Sequence, residues 1–349
     1  MESLKIGVAG LSAGEDHIRS YIKAPYDIEI FICDKDVERL NTVGEKYKIP
    51  KENRFKDFDE MLGAITFDIV SICVPNFLHK AFTIKALDAG ANVLCEKPMA
   101  VNEEDAVQMK EAAERTNKKL MINYNRRFHN NCRIARKLIG DGALGDIYYA
   151  RTVWHRRRGI PWWYPLSEAD KTCGGGPFID LGCHMLDQTL WMCGFPQPKW
   201  ILANTFLGVS EEEAKQRGIN HFSVEDMGVA MLSMKNGMML ELEVSWASNR
   251  EAELTKTRIY GTKGGLVISN DYESEGRSIE KLFLEKDGVL TDVDFSDFDA
   301  EGTDDIRISF IQSVINDTRP VCTAEQGITI AHIVDKIYLS AKLKEPVMY

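Results

Sequence analysis

The stretch Leu4-Lys5-Ile6-Gly7-Val8-Ala9-Gly10-Leu11-Ser12-Ala13-Gly14 decides how the chain is read. Leu4–Ala9 is a short, nearly continuous apolar run of the kind that forms a strand covered on both faces. It ends in a glycine-bearing turn directly ahead of a segment with helical spacing. Outward from it, Ile28–Cys33, Asp68–Val74 and Asn92–Cys95 read as further strands, and Lys119–Asn123 as the sixth of the series. The intervening segments Val37–Tyr47, Leu78–Ala89 and Glu103–Thr116 space their apolar residues for helices. Asn102 before Glu103 and Glu104 supplies an N-cap side chain and an acidic first turn. Strands of this type alternating with helices predict a doubly wound α/β domain over residues 1–123.

Beyond about residue 125 the rhythm changes. Asp146–His155 and Lys199–Leu207 read as strands, followed by a series from His221 to Phe295 broken at Asn236-Gly237, Gly264-Gly265 and Asp287-Gly288. Such pairs between alternating segments signal hairpins. Helices are expected near Phe178–Met192, Asp304–Asp317 and Ala324–Leu343. Residues 124–349 are therefore expected to form one α+β domain built on a large, mainly antiparallel sheet. Asp292–Asp305 carries seven acidic residues in fourteen and reads as a solvated loop.

With 349 residues, 44% hydrophobic and 28% charged, the chain suits two folded domains. Its 53 acidic against 43 basic residues give a formal charge of −10, which argues against a nucleic-acid partner. The start shows no basic segment followed by an apolar one, and no run of 18 apolar residues occurs, so the expectation is a cytoplasmic protein without a membrane anchor. The eight cysteines form no C-x-x-C pair, and the spacing of Cys173, Cys183, His184 and Cys193 matches no common zinc knuckle; buried thiols and no metal are expected.

The turn after the first strand has a chemical reading. Glycines between strand and helix let backbone amides approach a pyrophosphate, and the helix N-terminus favours the anion. Asp34 ends the second strand 24 residues after Gly10, where a carboxylate accepts ribose hydroxyls and repels a 2′-phosphate. That favours NAD over NADP in a Rossmann domain. The fit is imperfect: Ser12 stands where the second glycine is usual and Glu15 where the third is. A loop shorter by one residue gives Gly14 the third glycine's role, and Glu15 must then point away.

Three further segments carry a family resemblance: Val74-Pro75-Asn76-Phe77-Leu78-His79, Cys95-Glu96-Lys97-Pro98, and Gly174-Gly175-Gly176-Pro177-Phe178-Ile179-Asp180-Leu181-Gly182-Cys183-His184-Met185-Leu186-Asp187. With the loop at Gly10, Asn123–Phe128 and Gly142–Asp146, the chain resembles the glucose–fructose oxidoreductase and inositol dehydrogenase (Gfo/Idh/MocA) family along essentially its whole length. The resemblance implies Lys97, Asp180 and His184 as a catalytic trio. It also implies a frequent cis bond at Lys97-Pro98, and a dinucleotide lined by Gly10, Ser12, Ala13, Asp34, Pro75, Asn76, His79, Glu96 and Lys97. His79 has a second reading as an exposed residue on the first turn of its helix.

The chemistry agrees with that implication. Pro75, Asn76 and Lys97 fall at the carboxyl ends of parallel strands, where open α/β sheets bind ligands. Lys97 offers a cation to an oxygen that gains charge as hydride leaves its carbon. Asp180, His184 and Asp187 share a face of a regular helix. His184 suits abstraction of a hydroxyl proton, with Asp180 to orient it or hold its charge. Asp180 and His184 as a capping pair on an ordinary helix is the alternative.

On the substrate side, Trp154-His155-Arg156-Arg157-Arg158-Gly159-Ile160-Pro161-Trp162-Trp163-Tyr164 joins three arginines to four aromatics. Arginines bind carboxylate or phosphate, and aromatic faces cover sugar C–H surfaces. Arg127, His155, Arg157 and Trp163 are the candidate substrate contacts; the same loop equally suits acidic neighbours or a second subunit. The expectation is an NAD(H)-dependent oxidoreductase of a secondary hydroxyl on a cyclitol, sugar or sugar derivative, in a homodimer or homotetramer. Two rivals are a glycosidase-type enzyme that oxidises its sugar transiently with retained NAD, and a non-catalytic dinucleotide or sugar sensor.

Overall fold

The computed structural model describes residues 3–162, 166–219, 221–271 and 278–349. The chain divides into two compact units, Met1–Asn125 with Asp305–Ala331, and Arg126–Asp304 with His332–Tyr349.

The first unit runs β1 (Leu4–Ala9), α1 (Leu11–Lys23), β2 (Ile28–Cys33), α2 (Val37–Lys46), β3 (Arg54–Phe55), α3 (Phe58–Ala64), β4 (Ile69–Ile72), α4 (His79–Asp88), β5 (Asn92–Cys95), α5 (Glu103–Thr116) and β6 (Leu120–Ile122). All six strands are parallel, in the order β3-β2-β1-β4-β5-β6. β1 leads outward to β2 and β3, and β4 restarts on its other side, which puts a topological switch point at the β1 and β4 carboxyl ends. Ile6, Val8, Ile69, Val70, Ile72, Val93 and Leu94 are completely buried, as strands covered on both faces require. Asn102 caps α5 as its sequence indicates, its side chain accepting from Asp105 N at 2.8 Å. The third strand, which the apolar pattern does not announce, is two residues long and half-buried.

The second unit continues with α6 (Asn130–Gly140), β7 (Ile147–His155), α7 (Ala169–Thr172), a π-helical turn (Phe178–Gly182), α8 (Cys183–Met192), β8 (Pro198–Phe206), α9 (Val209–Gln216), β9 (Met227–Met234), β10 (Met239–Ser245), β11 (Leu254–Gly261), β12 (Gly264–Asp271), β13 (Ser278–Lys286) and β14 (Val289–Asp294). Two helices follow, α10 (Ile306–Ile315) and α11 (Ala324–Leu343), then β15 (Val347–Met348). Nine strands pair in the order β14-β13-β12-β11-β7-β10-β9-β8-β15, antiparallel except for β7 beside β10. Asn236-Gly237 and Asp287-Gly288 turn hairpins, with positive φ at Gly237, Asp287 and Gly288. Gly264 and Gly265 instead lie inside β12, the turn falling on Thr262 and Lys263. A Cβ on Gly264 would lie 2.8 Å from both Leu284 Cδ2 and Phe283 O, so that glycine serves a close strand approach.

Two expectations are corrected. Asp305–Ala331 joins the first unit rather than staying in a continuous 124–349 domain, because α10 packs on α1 and Ser20 Oγ donates to Asp305. Ile122 N also donates to Cys322 O there. The acidic stretch Asp292–Asp305 is not a uniform loop: it starts as the edge of β14, buries Phe295 completely and ends with Asp305 capping α10. Among the described residues no helix is long and apolar enough to cross a membrane.

Candidate functional site

In the first unit the site begins at the end of β1. Gly10 has φ +87°, and a Cβ there would lie 2.5 Å from Cys73 O, so only glycine lets the loop cross the end of β4 so closely. α1 then starts at Leu11, leaving Ser12 and Ala13 exposed on its first turn, where amides face an anion. Gly14 does play the third glycine's part, since a Cβ on it would meet Val8 Cγ1 at 2.7 Å and its absence brings helix and strand together. Glu15 points away, towards Lys46 and the Tyr47 hydroxyl, and the hydrogen bond from Lys46 holds its carboxyl below the usual range.

Asp34 is buried at the end of β2. Its Oδ2 accepts from Leu11 N at 2.8 Å and its Oδ1 from Asp36 N at 2.9 Å. A carboxylate has lone pairs for further donors, so it braces the loop and still suits ribose hydroxyls. Arg39, half-exposed, brings Nη1 to 3.6 Å from Asp34 Oδ2. These groups fit a dinucleotide: a side-chain-free turn, helix-terminal amides and a carboxylate at the second strand.

At the carboxyl ends of β4 and β5, Pro75 and Asn76 open a 3₁₀ turn and the Lys97-Pro98 bond is cis. His79 is corrected in both of its readings. It is 1% exposed and packed between the two strand-end loops, with Nδ1 2.7 Å from Pro98 O and Nε2 2.9 Å from Val74 O, and its neutral ring donates to one of these two carbonyls. Burial pushes its pKa down. Glu96 faces a partner that the sequence reading missed. His17, completely buried on α1, reaches Glu96 Oε1 with Nε2 at 3.0 Å and Ser71 Oγ with Nδ1 at 3.1 Å. Asn123 also donates to Glu96 Oε1, and Lys97 N to Oε2 at 3.2 Å. Burial alone would raise the Glu96 pKa; the bonds from His17 and Asn123 outweigh it and bring it to about 2.

In the second unit Asp180 stands on the π turn and His184 on the first turn of α8. Asp180 Oδ2 accepts from Trp246 Nε1 at 2.8 Å, and Trp246 is completely buried. The His184 ring lies 5.9 Å from that of Trp154, and Arg126 places its guanidinium 4.2 Å from the same tryptophan ring. Trp154 Nε1 donates to Glu253 at 2.9 Å. An insertion of π-helical geometry shifts the side chains that follow out of simple four-residue register. Trp246 carries no motif and only the folded sheet reveals it, whereas Arg126 belongs to the Asn123–Phe128 stretch and is open, from sequence, to either a pocket role or an ion pair.

Several candidates fall elsewhere. Asp187 does not join the Asp180–His184 face: it is completely buried in a bidentate pair with Arg127, Nε to Oδ2 at 2.8 Å and Nη2 to Oδ1 at 2.5 Å. Arg127 is thereby a structural cation rather than a substrate contact. His155 follows Trp154 on β7 and so points to the opposite sheet face, 3.7 Å from Glu243 in a cavity of about 240 Å³ with Arg151 and Lys256. Arg157 is exposed and donates to Glu251 O at 3.1 Å. Trp163 lies outside the described residues. Among the described residues no cluster of three histidine, cysteine or acidic side chains could hold a metal.

Comparison with known proteins gives two family matches. Residues 4–124 match an oxidoreductase family with an NAD-binding Rossmann fold, and residues 132–267 match the GFO/IDH/MocA C-terminal domain. A D-glucoside 3-dehydrogenase of Escherichia coli strain K12 is 30% identical over 97% of this chain and 95% of its own. An NADP(+)-linked scyllo-inositol 2-dehydrogenase of Bacillus subtilis strain 168 is 25% identical over 87% of this chain and 85% of its own. A levoglucosan dehydrogenase solved with NADH shares the fold at a TM-score of 0.84, with 20% identity over 99% of both chains.

Proposed function

Because the chain belongs to the Gfo/Idh/MocA family of NAD-binding oxidoreductases, we propose that it is an NAD(H)-dependent dehydrogenase of a secondary hydroxyl on a sugar, glycoside or cyclitol. The observation that carries the reading is the Asp180–His184 pair on the π turn and α8, with Trp246 holding the aspartate. It is joined by an intact Lys97 after β5 and by the full-length likeness to a glucoside dehydrogenase. A bound nicotinamide supplies the hydride acceptor. His184 takes the hydroxyl proton as the C–H bond breaks, Asp180 orients it and balances its charge, and Lys97 stabilises the oxygen as it becomes alkoxide-like. Trp154, with Arg126 stacked on it, offers an aromatic surface for the sugar ring.

Asp34 supports NAD as the working cofactor, since its carboxylate repels a 2′-phosphate. The sheet of the second unit supports a homo-oligomer. Strand register puts Leu202, Met231, Tyr260 and Phe283 on the same face, and each is more than a third exposed. A sheet face with four such side chains exposed on it suits burial against a second copy.

The test starts with purified protein. Denaturation and mass spectrometry show whether NAD is retained, titration with NADH and NADPH gives the preference, and absorbance at 340 nm follows a panel of glycosides, aldoses and inositols. Exchangeable NADH binding with turnover of one of these polyols is expected. Tightly retained NAD without net NADH would instead favour transient oxidation, and no nucleotide binding at all would end the enzyme reading.

A further inference from the structure

A buried carboxylate that the proposed chemistry does not use holds the entrance to the π turn. Glu225 lies just ahead of β9 and is 7% exposed. Its Oε2 accepts from Gly176 N at 3.2 Å, and its Oε1 from Phe178 N at 3.2 Å and from the Tyr338 hydroxyl at 2.8 Å. Tyr338 Oη also lies 3.2 Å from Gly176 N. The glycine triplet is shaped by this clamp. A Cβ on Gly175 would sit 2.0 Å from Tyr338 Oη, and one on Gly176 2.3 Å from Glu225 O and 2.9 Å from its carboxyl carbon. The Phe178 ring meets that of Tyr338 edge-on at 6.0 Å. Asp180 follows two residues after the second clamped amide, its own N–H bonded to Gly176 O at 3.1 Å.

We propose that Glu225 is a positioning residue whose ionised carboxylate, bridging the Gly176 and Phe178 amides and the Tyr338 hydroxyl, sets the aim of Asp180 and His184. The proposal rests on the reading of those two as the proton-handling pair. All three donors point at the carboxylate. A proton on Oε2 meets the Gly176 amide donor to donor, and one on Oε1 is accommodated only if the Tyr338 hydroxyl reverses from donor to acceptor, so protonation remakes the clamp. Burial pushes the Glu225 pKa up, while the Tyr338 hydroxyl and the amides pull it back, leaving it at about 7. The groups facing it are the Tyr338 phenol from α11 and the amides ahead of the π turn. Its neighbour Asp226 turns instead to the amides of Gly208 and Ser210. Among the described residues no lysine, arginine or histidine stands within ion-pairing distance of Glu225, so the clamp titrates near neutrality without a counter-ion to fix its charge.

Two variants and two readouts test this. In E225Q the kcat falls tenfold to a hundredfold, as a small misplacement of a proton acceptor does, while NADH affinity is unchanged. Y338F keeps the carboxylate but removes a group that lowers its pKa, so the acidic limb of kcat against pH moves to higher pH. Hydrogen exchange of the amides in residues 174–184, compared at one pH, is faster in E225Q than in the parent protein. Unchanged exchange in E225Q, or an acidic limb that Y338F does not move, overturns the proposal. A parent enzyme that turns over no polyol, while E225Q still loosens residues 174–184, overturns the dehydrogenase reading and not the clamp.

Discussion

Individual side chains divide sharply between chemistry and support. His184→Asn removes the proton acceptor and keeps the ring's approximate volume, so kcat should drop by roughly 10²–10⁴-fold with nucleotide affinity nearly intact; stopped-flow rates and NADH titration check both. Loss of binding together with turnover would make His184 structural. Arg127 illustrates the opposite case. Removing one partner of a buried pair strands the other charge, so Arg127→Met should cost about 3–5 kcal/mol of stability, read by denaturant unfolding. Glu225 carries a pH signature of its own. Its folded pKa of about 7 lies above the ordinary carboxyl value of 4.5, so between those two the folded state binds more protons than the unfolded. Stability is therefore fully present below about 4.5 and lost as pH rises through 7, by up to about 3 kcal/mol. E225Q should flatten the stability curve across that window. Sequence reached His184 because a motif surrounds it; it could not reach Glu225, which precedes an ordinary aspartate and acquires its role only when α11 brings Tyr338 to it.

At the scale of elements, the β1–α1 unit was legible in detail because its constraints are local. Gly10 at positive φ, Gly14 against Val8 and Glu15 turned outward all follow from the geometry of a short strand-to-helix turn. What lay beyond reach was the polar chain under the strand ends, where Tyr21, Ser71, His17, Glu96 and Asn123 come from α1, β4, β5 and the end of β6. Such a network has no period and no fixed spacing. The same limit explains His79, whose two carbonyl partners lie on different loops, and His155, whose side of the sheet is set by pleat and register. The network gives a prediction that belongs to these elements together. His17→Leu leaves the Glu96 carboxylate buried without its strongest partner, so the Glu96 pKa should rise from about 2 towards or above the ordinary carboxyl range. In the parent protein that depressed value contributes stability present above the ordinary pKa and lost as pH falls through about 2. The variant should consequently unfold at a higher pH in an acid titration followed by circular dichroism, and an unshifted acid transition would remove His17 from this role.

For the whole molecule, chain order and spatial order part company. Residues 305–331 return to the first unit although the apolar pattern gives no break that marks the return. α11 bridges the division, its first part in one unit and its remainder, with Tyr338, in the other. That continuity is invisible to any reading that assigns domains as consecutive segments. The nine-stranded sheet raises the remaining question of what covers its outer face. Leu202, Met231, Tyr260 and Phe283 are apolar or aromatic and more than a third exposed, while Arg151, Glu241 and Glu243 between them already pair with one another. A face of mutually paired charges flanked by apolar side chains is suited to a partner with the same surface, since an isologous contact repeats each patch against its own copy. Met231→Asp places a new carboxylate on that face, at a side chain 42% exposed in the single chain. Sedimentation velocity should find the parent protein as a dimer or tetramer and the variant shifted to smaller species, with an unchanged circular dichroism spectrum. Parent and variant sedimenting alike as monomers would mean that this face stays in water, and the oligomer reading would fall while the active-site assignments stood.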